Sequence, residues 1–338
     1  MKIIAALAVF CVLIITHELG HFVVAKMSGI YVYSFNLGMG PKLFSFTKGE
    51  TEYTIRLLPL GGSVMMMGED DDTCDDDPRS FNRQAVWKRI CTIAAGPLMN
   101  FVTAIVLFII VFMMLGTASD ANIIGGVIEG SAAEAAGLQA GDQILYIGDY
   151  LIEKWNDISP AIAAAGAGNP LDIVFLRDGV QQQLTLQPYL DELSGNWMIG
   201  IQSSVARQSL STAIKLGFMQ TYLFTKEIIV TLGAMILGKT AVELSGPVGI
   251  VTVIGEASTY GLMNVLLLTA YLSVNLGLLN LLPIPALDGS RIVFLAIEGL
   301  RGKPFDREKE GMVHAIGLML LLGLMVLVTY QDIARLIN

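Results

Sequence analysis

The chain has 338 residues, with 21 Lys and Arg against 30 Asp and Glu, a formal net charge of −9. Apolar residues make up 54% and charged residues only 15%, against roughly 45–50% and about 25% in an ordinary soluble domain. This balance excludes a disordered chain, a coiled coil and an average cytosolic enzyme; the acidic surplus argues against a nucleic-acid binder, which needs a basic face, and 3 cysteines cannot frame a disulfide scaffold at this length.

Runs of about 20 apolar residues can cross a bilayer, and four such runs punctuate the chain. The expected organisation is an α-helical membrane protein with four transmembrane helices, a membrane-associated β-hairpin region and an inserted extracytoplasmic α/β domain. Residues 1–27 form the first span, whose run Ile3–Ala25 contains His17, Glu18 and His21. It has one Lys near its start and no small-residue cleavage site, so it reads as retained and not as a signal peptide. Residues 28–92 follow. Their first part, Tyr31–Val64, alternates apolar and polar residues between glycines, which is hairpin patterning. Their acidic stretch, Gly68–Pro78, reads as a solvated loop, because its spacing fits no EF-hand calcium site.

The second span covers 93–117. Residues 120–204 carry short Val/Ile-rich strands, Gly turns and an Ala-rich helix at Asp157–Ala167, the pattern of a compact domain. Residues 205–258 are a linker with an apolar stretch, Leu210–Gly238, interrupted by Lys215 and the pair Lys226-Glu227. That stretch is either a further span or an amphipathic helix lying on the membrane. The third span covers 259–290, 291–311 form a loop, and the fourth span covers 312–335.

Basic residues set the orientation. Lys42, Lys48, Arg56, Arg79, Arg83, Lys88 and Arg89 lie between the first two spans, and Arg291, Arg301, Lys303, Arg307 and Lys309 between the last two. The positive-inside rule puts both segments in the cytoplasm, which leaves both termini and the inserted domain outside. Cys74 and Cys91 then face the reducing side, Cys11 lies in the first span, and all three read as inert thiols.

His17-Glu18-Leu19-Gly20-His21 is a HExxH motif. Positions i and i+4 share one helix face, so both imidazoles can reach one ion. Neutral imidazole suits Zn²⁺, and Glu18 stands where it can act as base toward a water that the metal activates. Ionisable groups inside a span are costly unless they function. A catalytic zinc needs a third protein ligand and an open position. His314, the remaining histidine, has no ligand-like context, whereas Asp288 is an isolated acid closing Asn280-Leu-Leu-Pro-Ile-Pro-Ala-Leu-Asp-Gly289. Its competing reading is a turn Asp before Gly289. Pro283 and Pro285 break the helix there, which is tolerated at membrane depth beside a cavity. Asp288 meets the histidines only if the third span runs in the same direction as the first, so Leu210–Gly238 is expected to be interfacial.

Taken together, HELGH, Ala94–Asn100 (AAGPLMN), Ser245–Ile250 (SGPVGI) and NLLPIPALDG resemble the site-2 protease family of intramembrane zinc metalloproteases over nearly the whole chain. The resemblance implies His17, His21 and Asp288 as zinc ligands and Glu18 as catalytic base. Asn275 and Asn280 match family asparagines that help hold substrate, with interhelical hydrogen bonding as the alternative, and Asn100 reads as structural. Pro283, Ile55 and Leu57 complete the expected substrate contacts, because one strand of Tyr31–Val64 is expected to pair with the unwound substrate. The insertion resembles a bacterial PDZ domain in Gly130–Asp149, with Gly148-Asp149 where the family usually has Asn-Gly, and in Asn196–Ile201, the expected strand beside a groove for a peptide or an ectodomain. The implied activity is cleavage, within the bilayer, of single-span proteins such as anti-sigma factors or signal-peptide remnants. A silent membrane scaffold would predict loss of Glu18 or a ligand, and a metal transporter has no evident need for the glutamate and a peptide-binding insert.

Overall fold

The computed structural model describes residues 2–69, 77–165, 168–191, 195–239, 246–303 and 305–337. Cys74, Ser245, most of the acidic loop and the last two residues of the expected helix Asp157–Ala167 lie outside the described residues. Two compact units emerge: Met1–Val111 with Leu210–Asn338, and Phe112–Ser209.

The first unit begins with α1 (Lys2–Met27), β1 (Val32–Lys48), β2 (Thr51–Met66) and α2 (Val86–Leu115). The apolar helix α2 therefore starts at Val86 and not at residue 93. Close approach explains the α1–α2 pairing. A Cβ at Gly20 would come within 2.2 Å of the Ala95 carbonyl oxygen, so only glycine lets the two backbones meet. Contacts between α1 and α2 run in opposite sequence order: Gly20 meets Ala95, and His17 meets Asn100. The two helices are antiparallel.

β1 and β2 form an antiparallel ribbon that folds back on itself. Leu37 is registered with Gly62 on one side and Ile55 on the other. Positive φ angles at Gly38, Gly40 and Gly61 make the bends. Ala25, Ile30, Val32, Met66, Phe81, Ile93 and Leu295 form the apolar cluster under this ribbon.

The second unit consists of residues 112–209 and is held in the conventional manner of a water-soluble domain. It contains β3 (Thr117–Ala118), β4 (Ile124–Val127), α3 (Ala132–Ala135), β5 (Gln143–Ile147), β6 (Tyr150–Leu151), α4 (Ile158–Ala165), β7 (Leu171–Arg177), β8 (Val180–Leu186), β9 (Tyr189–Leu190), β10 (Trp197–Met198), β11 (Ile201–Ser203) and β12 (Val205–Ala206). A four-stranded sheet runs in the order β6-β5-β7-β8, and β4 pairs with β11. Its core is aliphatic and aromatic: Ile124, Ile144, Ile147, Ile173, Phe175 and Ile199 are all buried. The stretch Asn196–Ile201 forms parts of two strands, broken at Gly200, whose φ of 85° no side chain adopts comfortably.

Asp142 is 1% exposed. It accepts two hydrogen bonds from Arg177, at 2.7 and 2.6 Å, and one from the Gln139 N–H at 2.9 Å. Burial opposes ionisation of Asp142, but the Arg177 fork and the Gln139 N–H outweigh it and hold the carboxyl below the usual carboxylate range.

The chain then returns to the first unit through α5 (Leu210–Ile236), α6 (Pro247–Thr259), α7 (Leu262–Leu281), α8 (Asp288–Arg301) and α9 (Arg307–Ile337). Among the described residues, four helices are long and apolar enough to cross a membrane: Lys2–Met27, Val86–Leu115, Leu262–Leu281 and Glu308–Arg335. α5 is as long but is not one of them. α6 lies on α1 through Ile254 against Ala6, Val9 and Leu13. Ser273 on α7 donates to the Asn100 carbonyl at 2.7 Å, and Phe108 stacks edge-on to Tyr271, so α7 is also antiparallel to α2 and runs parallel to α1.

The third apolar helix ends at Leu281, before the Pro-rich stretch. Asp288 does not close that span as expected; it is the first residue of α8, which occupies much of the expected loop 291–311. A Cβ at Gly289 would lie 2.2 Å from the Leu282 carbonyl oxygen, so the reversal from α7 to α8 requires glycine there. Arg89 of α2 pairs with Glu298 of α8 at 2.7 Å, and Arg291 of α8 pairs with Glu69.

Candidate metal centre

Helical spacing puts His17 and His21 one above the other on α1, and the parallel course of α7 delivers α8 to the same end of α1. The two Nε2 atoms lie 3.2 Å apart. Asp288 Oδ2 is 3.2 Å from His17 Nε2 and 3.5 Å from His21 Nε2. Asp288 Oδ2 is buried and has no hydrogen-bond partner. Ligand atoms about 2.0–2.1 Å from a tetrahedral zinc sit about 3.3 Å from one another, so these separations and the orphaned oxygen fit that ion. No other group of three or more His, Cys, Asp or Glu among the described residues offers such a set.

The ring orientations are fixed from α2. Pro97, inside α2, removes a backbone N–H and loosens the ladder of this turn. The Thr92 carbonyl accepts the His21 Nδ1–H at 2.9 Å, which leaves the His21 Nε2 lone pair free for a metal. Gly96 makes room for that ring, because a Cβ there would lie 2.2 Å from His21 Nε2. The fully buried Asn100 amide stands between His17 Nδ1 at 3.2 Å and the Thr16 hydroxyl at 3.5 Å. Asn100 Oδ1 faces the Thr16 hydroxyl, and the Asn100 amide nitrogen faces His17 Nδ1. A His17 that turns Nε2 to a metal carries its proton on Nδ1, so the Asn100 amide turned over by 180° sets its oxygen there as acceptor. Asn100, expected to be structural, is brought to this centre through His17. No sequence period links it to His17, 83 positions away; the signal available was its place one turn after Gly-Pro in a span.

Glu18 is half-buried beside Gly62 of β2, where a Cβ would come within 2.7 Å of its Cγ. The sheet thus reaches Glu18 through Gly62. Ile55 and Leu57 are not brought in this way: they are 48% and 54% exposed, and the Ile55 strand already has neighbours at Leu37 and Phe44. Asn275 and Asn280 are half-buried on α7, and neither side chain has a hydrogen-bond partner among the described residues, against the interhelical alternative. Pro283 is exposed in the α7–α8 turn.

A glutamate next to the first of two paired imidazoles, with a carboxylate from a distant helix closing the set, defines a metallopeptidase centre. Here two of its donors and the glutamate stand on α1, a helix long and apolar enough to cross a membrane. Residues 5–324 match peptidase family M50. The zinc metalloprotease RasP of Geobacillus kaustophilus is 37% identical, over 99% of this chain and 98% of its own. RasP of Bacillus licheniformis is 34% identical, over 99% of each. The regulator of sigma-W protease RasP of Bacillus subtilis is 33% identical, over 99% of this chain and 98% of its own. A solved PDZ domain of an SdrC-like protein from Listeria monocytogenes is 21% identical, with a TM-score of 0.22, covering 25% of this chain and 88% of that one. The chain belongs to peptidase family M50, the site-2 proteases, and is a zinc-dependent metalloprotease.

Proposed function

We propose that His17, His21 and Asp288 hold the zinc, and that Glu18 is the base and acid of peptide hydrolysis in the membrane-spanning segments of single-span proteins. The convergence of the three donor atoms at 3.2–3.5 Å, with Glu18 on the adjoining residue, is the observation that carries this reading. Zinc, when bound, supplies Lewis acidity toward a water and toward the scissile carbonyl. Glu18 takes the proton of the attacking water and hands it to the leaving amine. Thr92 and Asn100 aim the two imidazoles.

A helical substrate must be unwound, and amides freed in lipid cost several kcal/mol each. Segment 62–66 of β2 is registered with β1 on one side only, and it passes beside Glu18 at Gly62. It offers the replacement backbone partners, while the unpartnered amides of Asn275 and Asn280 take further carbonyls and Pro283 borders the path. Ile55 and Leu57 then contact lipid or the flanks of the substrate.

The basic segments place the HExxH end of α1 toward the cytoplasm, with both termini and the PDZ-like residues 120–204 outside and α5 along the interface. The alternating directions of α1, α2 and α7 support this arrangement. The PDZ-like unit receives a peptide or excludes a bulky ectodomain. The name of the Bacillus subtilis relative supports anti-sigma factors as a substrate class.

Co-expression with a panel of single-span membrane proteins tests the reading. Glu18→Gln is expected to abolish clipping while zinc content persists. Clipping that survives in Glu18→Gln would overturn it.

A further inference from the structure

The turn that carries Asp288 into the centre is not self-supporting. Ala286 has a φ of 76°, a left-handed conformation that a residue with a Cβ rarely adopts and that its surroundings must impose. The surroundings are on α9. The Ala286 N–H donates to His314 Nδ1 at 3.1 Å. One turn further along, Gly317 receives Pro285: a Cβ at Gly317 would lie 2.3 Å from the Pro285 Cβ and 2.7 Å from its carbonyl oxygen.

His314 and Gly317 are three positions apart, so they share one face of α9. That face is polar and small in an otherwise lipid-like helix. Because Nδ1 accepts, the imidazole carries its proton on Nε2, which is buried without a hydrogen-bond partner and is 3.8 Å from Glu310 Oε1. A buried ring nitrogen left unsatisfied is a cost. What it secures is the backbone two residues before Asp288.

We infer that the His314–Gly317 face of α9 is a seat for Pro285 and Ala286 that sets where the Asp288 carboxylate stands, making both residues positioning residues for zinc. This rests on the reading of Asp288 as a ligand. His314 touches neither the metal nor substrate; it acts through the Ala286 N–H. α8 itself is tied to the rest of the unit by two ion pairs, Arg89 with Glu298 and Arg291 with Glu69.

The test is zinc affinity of the purified full-length protein, measured by competition with a chromogenic chelator. Removing an outer-shell partner of a ligand costs about 10–100-fold in metal affinity, so His314→Leu is expected to fall in that range. Asn places its Oδ1 where Nδ1 stands, so His314→Asn is expected to keep near wild-type affinity; Gln, one carbon longer, is not. Glycine adopts a φ of 76° freely, so Ala286→Gly in the His314→Leu background is expected to recover most of the loss.

Wild-type affinity in His314→Leu, or equal affinities in His314→Asn and His314→Gln, would overturn the inference. Should His314→Leu not accumulate, the Asn and Gln pair decides alone. Asp288→Ala separates the two readings. If it loses zinc while the His314 variants do not, only the seat is wrong; if it keeps zinc, the ligand assignment itself fails.

Discussion

The two units of this chain are held together by opposite means. Residues 112–209 bury a continuous core of Ile, Leu and Phe together with the carboxylate of Asp142, which Arg177 reaches from the surface. The helical unit buries Thr92, Asn100, Thr269 and Ser273 and relies on glycines at its closest approaches, Gly20, Gly96 and Gly277. In water, removing apolar surface drives folding. Between lipid-immersed helices that drive is absent, so small residues and hydrogen bonds do the joining. The metal centre uses the second mode, because the contacts that pack α1, α2 and α7 are also those that aim its ligands.

The comparison can be broken most forcefully at Asp142. Asp142→Ala removes the two hydrogen bonds from Arg177 and the one from the Gln139 N–H, and is expected to destabilise residues 112–209 by about 3 kcal/mol. Hydrogen exchange of that unit in the full chain reads the loss, and zinc binding should not change. The pH dependence follows from the lowered pKa of Asp142. Its folded value lies below its unfolded value, so its stabilisation is complete above about pH 4 and disappears as pH falls through the folded value. Wild type and Asp142→Asn should converge in strongly acidic solution.

Gly96→Ala is the counterpart in the helical unit. Its methyl would meet the His21 ring, with an overpacking cost of about 2–3 kcal/mol. That is expected to emerge as about a 100-fold loss of zinc affinity, with exchange in residues 112–209 unaffected. An unchanged affinity would mean that α1 and α2 pack with more freedom than the glycine implies. Asn100→Leu should cost about tenfold in zinc affinity, whereas Asn100→Asp, which still accepts the His17 Nδ1–H, should cost less. Ile144→Val, in the apolar core, is expected to lower the stability of its own unit by about 1 kcal/mol, and zinc binding should be indifferent to it.

What the sequence showed of this centre divides along the same line. His17, Glu18 and His21 were legible because one helical turn brings them together, and Asp288 because an acid ending an apolar run has few other uses. Asn100 and His314 were not. Their partners lie 83 and 28 positions away, and no period connects them. The lack of ligand-like context around His314 says nothing about the Ala286 N–H. The hairpin was legible as alternation, but its fold-back depends on bends at Gly38, Gly40 and Gly61, which alternation does not reveal, so the approach of Gly62 to Glu18 was not foreseen. The early start of α2 and the separate helix α8 were hidden because Lys88, Arg89 and Arg291 read as loop charges until their partners are known.

X-ray absorption at the zinc edge of the purified protein, wild type against Asp288→Ala, addresses the donor set itself. One zinc per chain is expected, bound by two imidazole nitrogens and a carboxylate oxygen at about 2.0–2.2 Å, with the oxygen contribution and most of the metal lost in the variant. A variant that keeps its zinc with the same spectrum would contradict the account.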